Sequence, residues 1–460
     1  MKQILSVIVC CLATFASYNS YAEEYSLDEL YKFALERSEM IKIAEEDLYI
    51  SEREKDKAVA DLIPTFSAFG QHTRYTEEKR SAGFLLQPEH TNNWGLRLNN
   101  TYSLGGRQFT ALEISRQGIE ERSFALHTVR EEYLLDVAGQ YYDVLRSKRE
   151  IEIAAANVQR LTTERDAAKK RLEVGEAIKT ALLRAEAELA DAQSELIRAE
   201  NILKVSKNIL AKTVGISGDY DVKEPQPGTD YILPREGRFE LDFLIGDCSL
   251  STMDCLIATA MSERSEIKSL TIENKIAEDN IKLSKSTYWP DLSIEGVYSR
   301  EENSPSRDFE LNEQIYGVLR LDFPFFEGGL KRAQVGEAKS RLRQAELRLS
   351  DLKRQVTVEV KNAYIVATTA ASVLKPRQAE VEFGQENYNL VSKQFQYGLA
   401  NSVDVMDANT RLVTSERDLL NARYVYVLAI LQLKRATGML LKEVVGNQSS
   451  AVGEELNQNP

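Results

Sequence analysis

The sequence predicts a mostly α-helical protein with a small antiparallel β part, built as two internal repeats of long coiled-coil helices with two strands each. Three observations carry this. From Val405 a large apolar residue recurs every seven positions, at Leu412, Leu419, Tyr426 and Leu433. A small residue follows three positions after each: Ala408, Ser415, Ala422, Ala429 and Ala436. Shifting both series by 223 positions returns the same pattern, as Leu182, Leu189, Leu196, Leu203 and Leu210 with Ala185, Ala192, Ala199, Ser206 and Thr213. A strict seven-residue repeat keeps one seam against a partner helix, and a single offset held over that distance marks a duplication. The third observation is four short stretches of alternating apolar and polar residues, two in each copy.

In chain order, residues 1–22 read as a secretory signal, with Lys2, an apolar core from Ile4 to Ala16 and a small-x-small site ending at Ala22. The apolar core is short for a span of about 20 residues. Residues 23–215 form the first repeat. It opens with a helix over 26–61, capped by Ser26 and Glu29 and ended before Pro64. A strand over 65–75, a polar loop over 76–92 and a strand over 93–102 follow. Gly105-Gly106 then opens a helix that runs to Val174. Gly175 turns the chain into a helix over 178–213. Residues 216–250 lack a period and link the copies. The second repeat, 251–439, has a helix from about Asp254 to Tyr288, with Glu263-Arg264-Ser265-Glu266 echoing Glu36-Arg37-Ser38-Glu39. Strands at 292–299 and 317–323 flank a polar loop over 301–314. A long helix over 330–397 carries Pro376, where a kink is expected. Gly398 turns into the last helix, and residues 440–460 form a tail.

Each long helix spans roughly 100 Å at 1.5 Å per residue. The two shorter helices of each copy, end to end, match that length, so each copy makes a two-stranded rod. The strands are about as long as membrane-spanning strands. Four strands cannot close a barrel, which needs about eight. Three copies supply twelve. Trp94 and Trp289, with Tyr102 and Phe323, lie at or beside the strands, where an interfacial aromatic girdle belongs. A small soluble β layer burying them is the alternative.

Composition excludes several classes. The net charge of -13 argues against a nucleic-acid partner. His72, His90 and His127 are scattered without metal-ligand spacing, and neither a phosphate loop nor a nucleophile elbow is present. This predicts neither an enzyme nor a bound cofactor. Cys248 and Cys255 are the two cysteines beyond the signal, and in an oxidising compartment they are expected to pair; two free thiols are the alternative. A periplasmic coiled-coil scaffold without channel activity is the rival function, and it leaves the four strands unexplained.

The whole layout resembles the TolC-type family of outer-membrane efflux and secretion channels. The resemblance is carried by Tyr397-Gly398-Leu399 through Val403-Asp404-Val405-Met406-Asp407-Ala408, by Asn421-Ala422-Arg423-Tyr424, by the helix-proline-strand junctions at Pro64 and Pro290, and by Phe323-Pro324-Phe325-Phe326-Glu327-Gly328-Gly329. It implies a homotrimer whose twelve-stranded β-barrel sits in outer-membrane lipid and continues as an α-helical periplasmic tunnel. It further implies an exit duct for efflux or type I secretion, working with a periplasmic membrane-fusion adaptor and an inner-membrane transporter. The turns at Gly175 and Gly398 would be the adaptor-docking tips, and Asp404 and Asp407 would ring the aperture and favour cations. Acidic residues placed simply to suit a helix N-terminus are the other reading of that pair. The basic and acidic residues that latch the aperture in the best-known members would fall at Ala400 and Ala181, so that latch is missing; Lys179 stands nearby as a possible substitute.

Overall fold

In a computed structural model the described residues are 23–176, 178–225, 252–306 and 311–441. The signal segment, Cys248, most of the 216–250 linker and the tail beyond residue 441 lie outside them.

The first repeat begins with strand β1 (Glu23–Tyr25) and helices α1 (Leu27–Arg37) and α2 (Glu39–Ala60). The expected single helix over 26–61 is therefore two. Ser38 takes an extended conformation, φ -60 and ψ 124, and its Oγ accepts from the Ile41 N–H, so it ends one helix and caps the next. The predicted capping box at Ser26 and Glu29 is present. Strand β2 (Thr65–Arg74) follows Pro64. The segment read as a polar loop holds a small hairpin, β3 (Lys79–Ser81) and β4 (Phe84–Gln87), turned at Ala82 and Gly83, both with positive φ. Strand β5 (His90–Ser103) leads to α3 (Arg107–Glu173), α4 (Lys179–Val214) and β6 (Tyr220–Val222). β6 pairs in parallel with β1, a contact that three-residue strands do not announce in sequence.

The second repeat carries α5 (Thr252–Glu263), α6 (Ser265–Ser286), β7 (Asp291–Ser304), β8 (Glu313–Asp322), α7 (Leu330–Gln396) and α8 (Ser402–Ala436). Its first helix is also broken, at Arg264 with φ -62 and ψ 124. The loop expected over 301–314 is shorter, because β7 and β8 extend into it. α7 runs on through Pro376 as one continuous helix.

The rods assemble as the lengths require. α3 packs against α2 and α4, and α7 against α6 and α8. The seams are buried: Val405, Ala408, Leu412, Ser415, Ala429 and Leu433 in the second copy, and Ala185, Leu189, Ala192, Ala199 and Leu210 in the first. Both 67-residue helices end in the same closure. Gly175 (φ 80) and Gly398 (φ 74) adopt left-handed backbone, and the N–H of the next residue reaches back to Arg171 O at 2.8 Å or Gln394 O at 2.8 Å. A mid-chain core gathers Tyr31, Tyr141, Tyr142, Leu210, Tyr220, Tyr424 and Leu440 from both copies.

Candidate channel wall and helical tip

The four long strands form one antiparallel sheet in the order β2-β5-β7-β8. The central pair, β5 with β7, joins the two repeats. β2 and β8 are its edges, and their residues are almost all exposed. Register divides the side chains between two faces, one mostly apolar and one mostly polar that also carries Phe69, Val297, Tyr316 and Val318. One face aligns Phe66 with Leu98, Ala68 with Leu96, Tyr298 and Ile315, Asn100 with Ile294 and Leu319, and Tyr102 with Leu292 and Leu321. The opposite face aligns Ser67 with Arg97, Asn99 with Glu295, and Thr101 with Ser293 and Arg320. On that polar face Arg97 bridges Glu295 at 3.1 Å. The apolar face is not covered by the chain: Ile315 is 83% and Leu319 75% exposed. A contiguous bare apolar sheet face opposite a polar one is the pattern of a wall with lipid on one side and water on the other.

Trp94 and Tyr102 share the apolar face, eight residues apart on β5, about 27 Å at ~3.4 Å per residue. Trp94 packs edge-on against Tyr298. The Tyr102 hydroxyl donates to Leu62 O at 3.0 Å, tying the strand end to the α2 terminus. Trp289 and Phe323 are exposed at the same helix-side end of the sheet, beside exposed Tyr288, Phe325 and Phe326. At the far end the histidines read as scattered are partly brought together: the His72 and His90 rings lie 5.6 Å apart, on neighbouring strands. Among the described residues there is no cluster suited to a metal ion.

At the other end of the molecule the tip helix α8 starts at Asn401. The Asn401 side chain accepts from the N–H groups of Val403 at 2.8 Å and Asp404 at 3.1 Å, and Asp404 Oδ2 accepts from the Asn401 N–H at 3.0 Å. Asp404 is thus a capping-box residue. Asp407 accepts from Arg411 Nε at 3.1 Å, one turn along. Both aspartates are exposed and lie off the buried Val405–Ala408 seam. Ala400 packs against the Tyr388, Phe395, Val405 and Leu412 cluster, and Lys179 forms no ion pair with either aspartate. Gly175 and Gly398 sit at neighbouring helix ends with open space around them.

The structure adds a feature that sequence reading missed: a buried polar ladder between the repeats. Asn409 Nδ2 donates to Asn157 Oδ1 at 2.8 Å. Arg160 grips Glu416 with two bonds, at 3.0 and 3.3 Å, both side chains mostly buried. Ser392 Oγ donates to Glu164 Oε1 at 3.0 Å, and the Arg171 guanidinium lies 4.1 Å from the centre of the Phe395 ring. Met406 inserts among Leu161, Ala168, Ala185 and Leu189 of the first copy. The signal was faint, since these pairs are separated by more than 220 positions.

Cys255 is buried and disulfide-bonded, while its expected partner Cys248 lies outside the described residues. Among the described residues, no helix is long and apolar enough to cross a membrane.

Comparison with known proteins agrees with this architecture. The chain is 25% identical over 316 residues to the outer membrane protein TolC of Vibrio cholerae, covering 68% of this chain and 69% of that one. It is 21% identical over 477 residues to TolC of Escherichia coli strain K12, covering 100% and 91%. Its fold matches a crystal structure of CusC with a TM-score of 0.78 at 17% identity, over 92% of this chain and 94% of that one. It matches the Campylobacter jejuni CmeC outer membrane channel at 0.77 and 15% identity, over 90% and 86%. Residues 30–216 and 256–439 match the family described as outer membrane efflux protein, and the chain belongs to that family.

Proposed function

We propose that the protein is the outer-membrane exit duct of a tripartite efflux or type I secretion system, acting as a homotrimer. The observation that carries this reading is the four-stranded sheet with two unpaired edges, one bare apolar face and one polar face. Edge β8 of one copy pairs with edge β2 of the next, and twelve strands close a barrel with lipid outside and water inside. Trp94 at one end and Tyr102, Trp289 and Phe323 at the other form its interfacial girdles. The exposed apolar residues along the rods, such as Ile197, Ile202, Val205, Ile365 and Val366, pack against neighbouring copies.

Substrates reach the duct from an inner-membrane transporter through a periplasmic adaptor docked at the tips beside Gly175 and Gly398. The similarity to the alkaline protease secretion protein AprF of Pseudomonas aeruginosa, 22% identical over 314 residues, and to the CusC cation efflux protein keeps both secretion and efflux in view. Asp404 and Asp407 face the aperture as two carboxylate rings. Arg411 offsets much of the Asp407 charge, so Asp404 carries most of the selectivity. The signal is cleaved after Ala22, and Cys248 is the disulfide partner of Cys255. Oligomeric state tests the central part. Native mass spectrometry of the detergent-extracted mature protein is expected to give three copies. A monomer that stays in solution without detergent would favour the scaffold.

A further inference from the structure

The two repeats are jointed at equivalent places, and the joints differ in chemistry. In the first, the break at Ser38 is capped by a neutral hydroxyl, and Arg37 donates to Gly215 O at 3.3 Å, the C-cap of α4. In the second, Arg264 itself occupies the break, with its side chain 4% exposed. It donates to Ala436 O at 3.5 Å, the end of α8, and pairs with Glu266 at 2.7 Å and Glu359 at 2.5 Å. Arg435 pairs with the same Glu266 at 3.2 Å, with Glu359, and with Glu132 at 2.9 Å. Two arginines and two glutamates thus form a ring that ties α6, α7, α8 and, through Glu132, α3. Beside the ring runs an open cavity of about 950 Å³ lined by Glu132, Glu359, Arg435 and Arg354.

Next to Glu132 on α3, Glu131 is buried at 5% exposure. Its charged neighbours are Glu266 and Lys268 of α6, Arg264 at the break and Arg435 of α8. Lys268 is itself engaged by Glu263 at 3.3 Å. On its own helix stand His127, one turn back, and Arg130, which pairs with Glu45 of α2 at 2.8 Å. Arg264 and Arg435 are committed to Glu266 and Glu359, so an ionised Glu131 adds a fifth carboxylate to a joint whose cations are taken.

We infer that the second joint is a proton-operated lock: with a proton on Glu131 the helices α3, α6 and α8 close tightly, and loss of that proton loosens them. Burial, reinforced by Glu266, pushes the Glu131 carboxyl up to about 7, against the pull of Arg435, Arg264 and Lys268. A carboxyl raised in the folded state favours the closed form fully at acid pH, and that advantage is lost as pH rises towards 7. His127 works in the opposite sense, since burial and the nearby Arg130 and Lys268 hold its pKa down and acid disfavours it. The repeat offset of 223 carries position 131 to Arg354, a cation rather than a carboxyl, and at the first joint Arg37 serves as a simple helix-end donor.

Hydrogen exchange of the mature protein in detergent, at pH 6 and pH 8 and corrected for intrinsic chemistry, tests this. If opening frees Glu131, peptides spanning 126–138, 259–270 and 430–438 are expected to open about tenfold more at pH 8. Peptides spanning 33–43 and 209–216 at the first joint are the internal control and should not change. In Glu131→Gln the pH difference at the second joint should vanish, and in Glu266→Gln its midpoint should move to lower pH. No pH difference in the wild type, an equal one at the first joint, or one that survives Glu131→Gln overturns the proposal. If Glu131→Gln fails to fold, the Glu266→Gln profile decides: a midpoint that does not move to lower pH overturns the proposal.

Discussion

Asp404 and Asn401 cap each other: the aspartate accepts from the Asn401 backbone at 3.0 Å while the Asn401 amide oxygen accepts from the Asp404 N–H at 3.1 Å. This reciprocal bond gives one of the two candidate aperture residues a structural duty. Asn401→Ala removes half of it and should destabilise the first turn of α8 by about 1 kcal/mol. Amides of residues 403–406 are expected to exchange about fivefold faster, with residues 420–430 unaffected.

The two sheet faces should respond oppositely to charge. Leu319→Lys places a charge at the middle of the bare apolar face and is expected to reduce stability in the membrane by about 2 to 4 kcal/mol. Arg320→Gln, one residue on and pointing to the polar face, should be tolerated. Denaturant titration of the protein folded into lipid vesicles separates the two. Equal effects would mean that the faces are not lipid and water.

Arg160 and Glu416 form the most enclosed pair of the inter-repeat ladder. Removing one partner leaves a buried charge uncompensated, so Glu416→Leu alone should destabilise by about 3 kcal/mol, whereas Arg160→Met/Glu416→Leu together should recover most of that. A double-mutant cycle on thermal unfolding reads the difference. Additive losses would show that the pair does not act as a unit.

Arg411 sits one turn beyond Asp407 and offsets its charge. Arg411→Gln should therefore sharpen cation selectivity rather than weaken it, seen as a larger reversal potential in a salt gradient. An unchanged reversal potential would place Arg411 outside the aperture, and a smaller one would contradict its offsetting of the Asp407 charge.

Much of the fold was legible because it is periodic. Val405 to Leu433 and their partners at an offset of 223 set both seams, and Pro64 and Pro290 marked where helix yields to strand. The alternation of apolar and polar residues in the four stretches marked them as strands with two unlike faces before any register was known. The joints were not legible. A single extended residue at Ser38 or Arg264 breaks a helix without glycine or proline, and the repeated Glu-Arg-Ser-Glu pointed to it only as an echo. The meaning of that echo is long-range: Arg37 and Arg264 each reach the end of a tip helix more than 170 positions away. The ladder of Asn157, Arg160 and Glu164 was hidden for the same reason. Of the candidate site, the positions of Asp404, Asp407, Gly175 and Gly398 followed from the turns, but the local partners Asn401 and Arg411 needed coordinates.

The central claim is a water-filled trimeric duct whose aperture is lined by Asp404 and Asp407. Single-channel recording of the detergent-purified mature protein in a planar bilayer, with a salt gradient, tests it most directly. A small cation-selective conductance is predicted, and Asp404→Ala/Asp407→Ala should abolish the selectivity while conductance persists. A channel whose selectivity ignores that change would remove the carboxylate rings, and protein that forms no channel would contradict the duct.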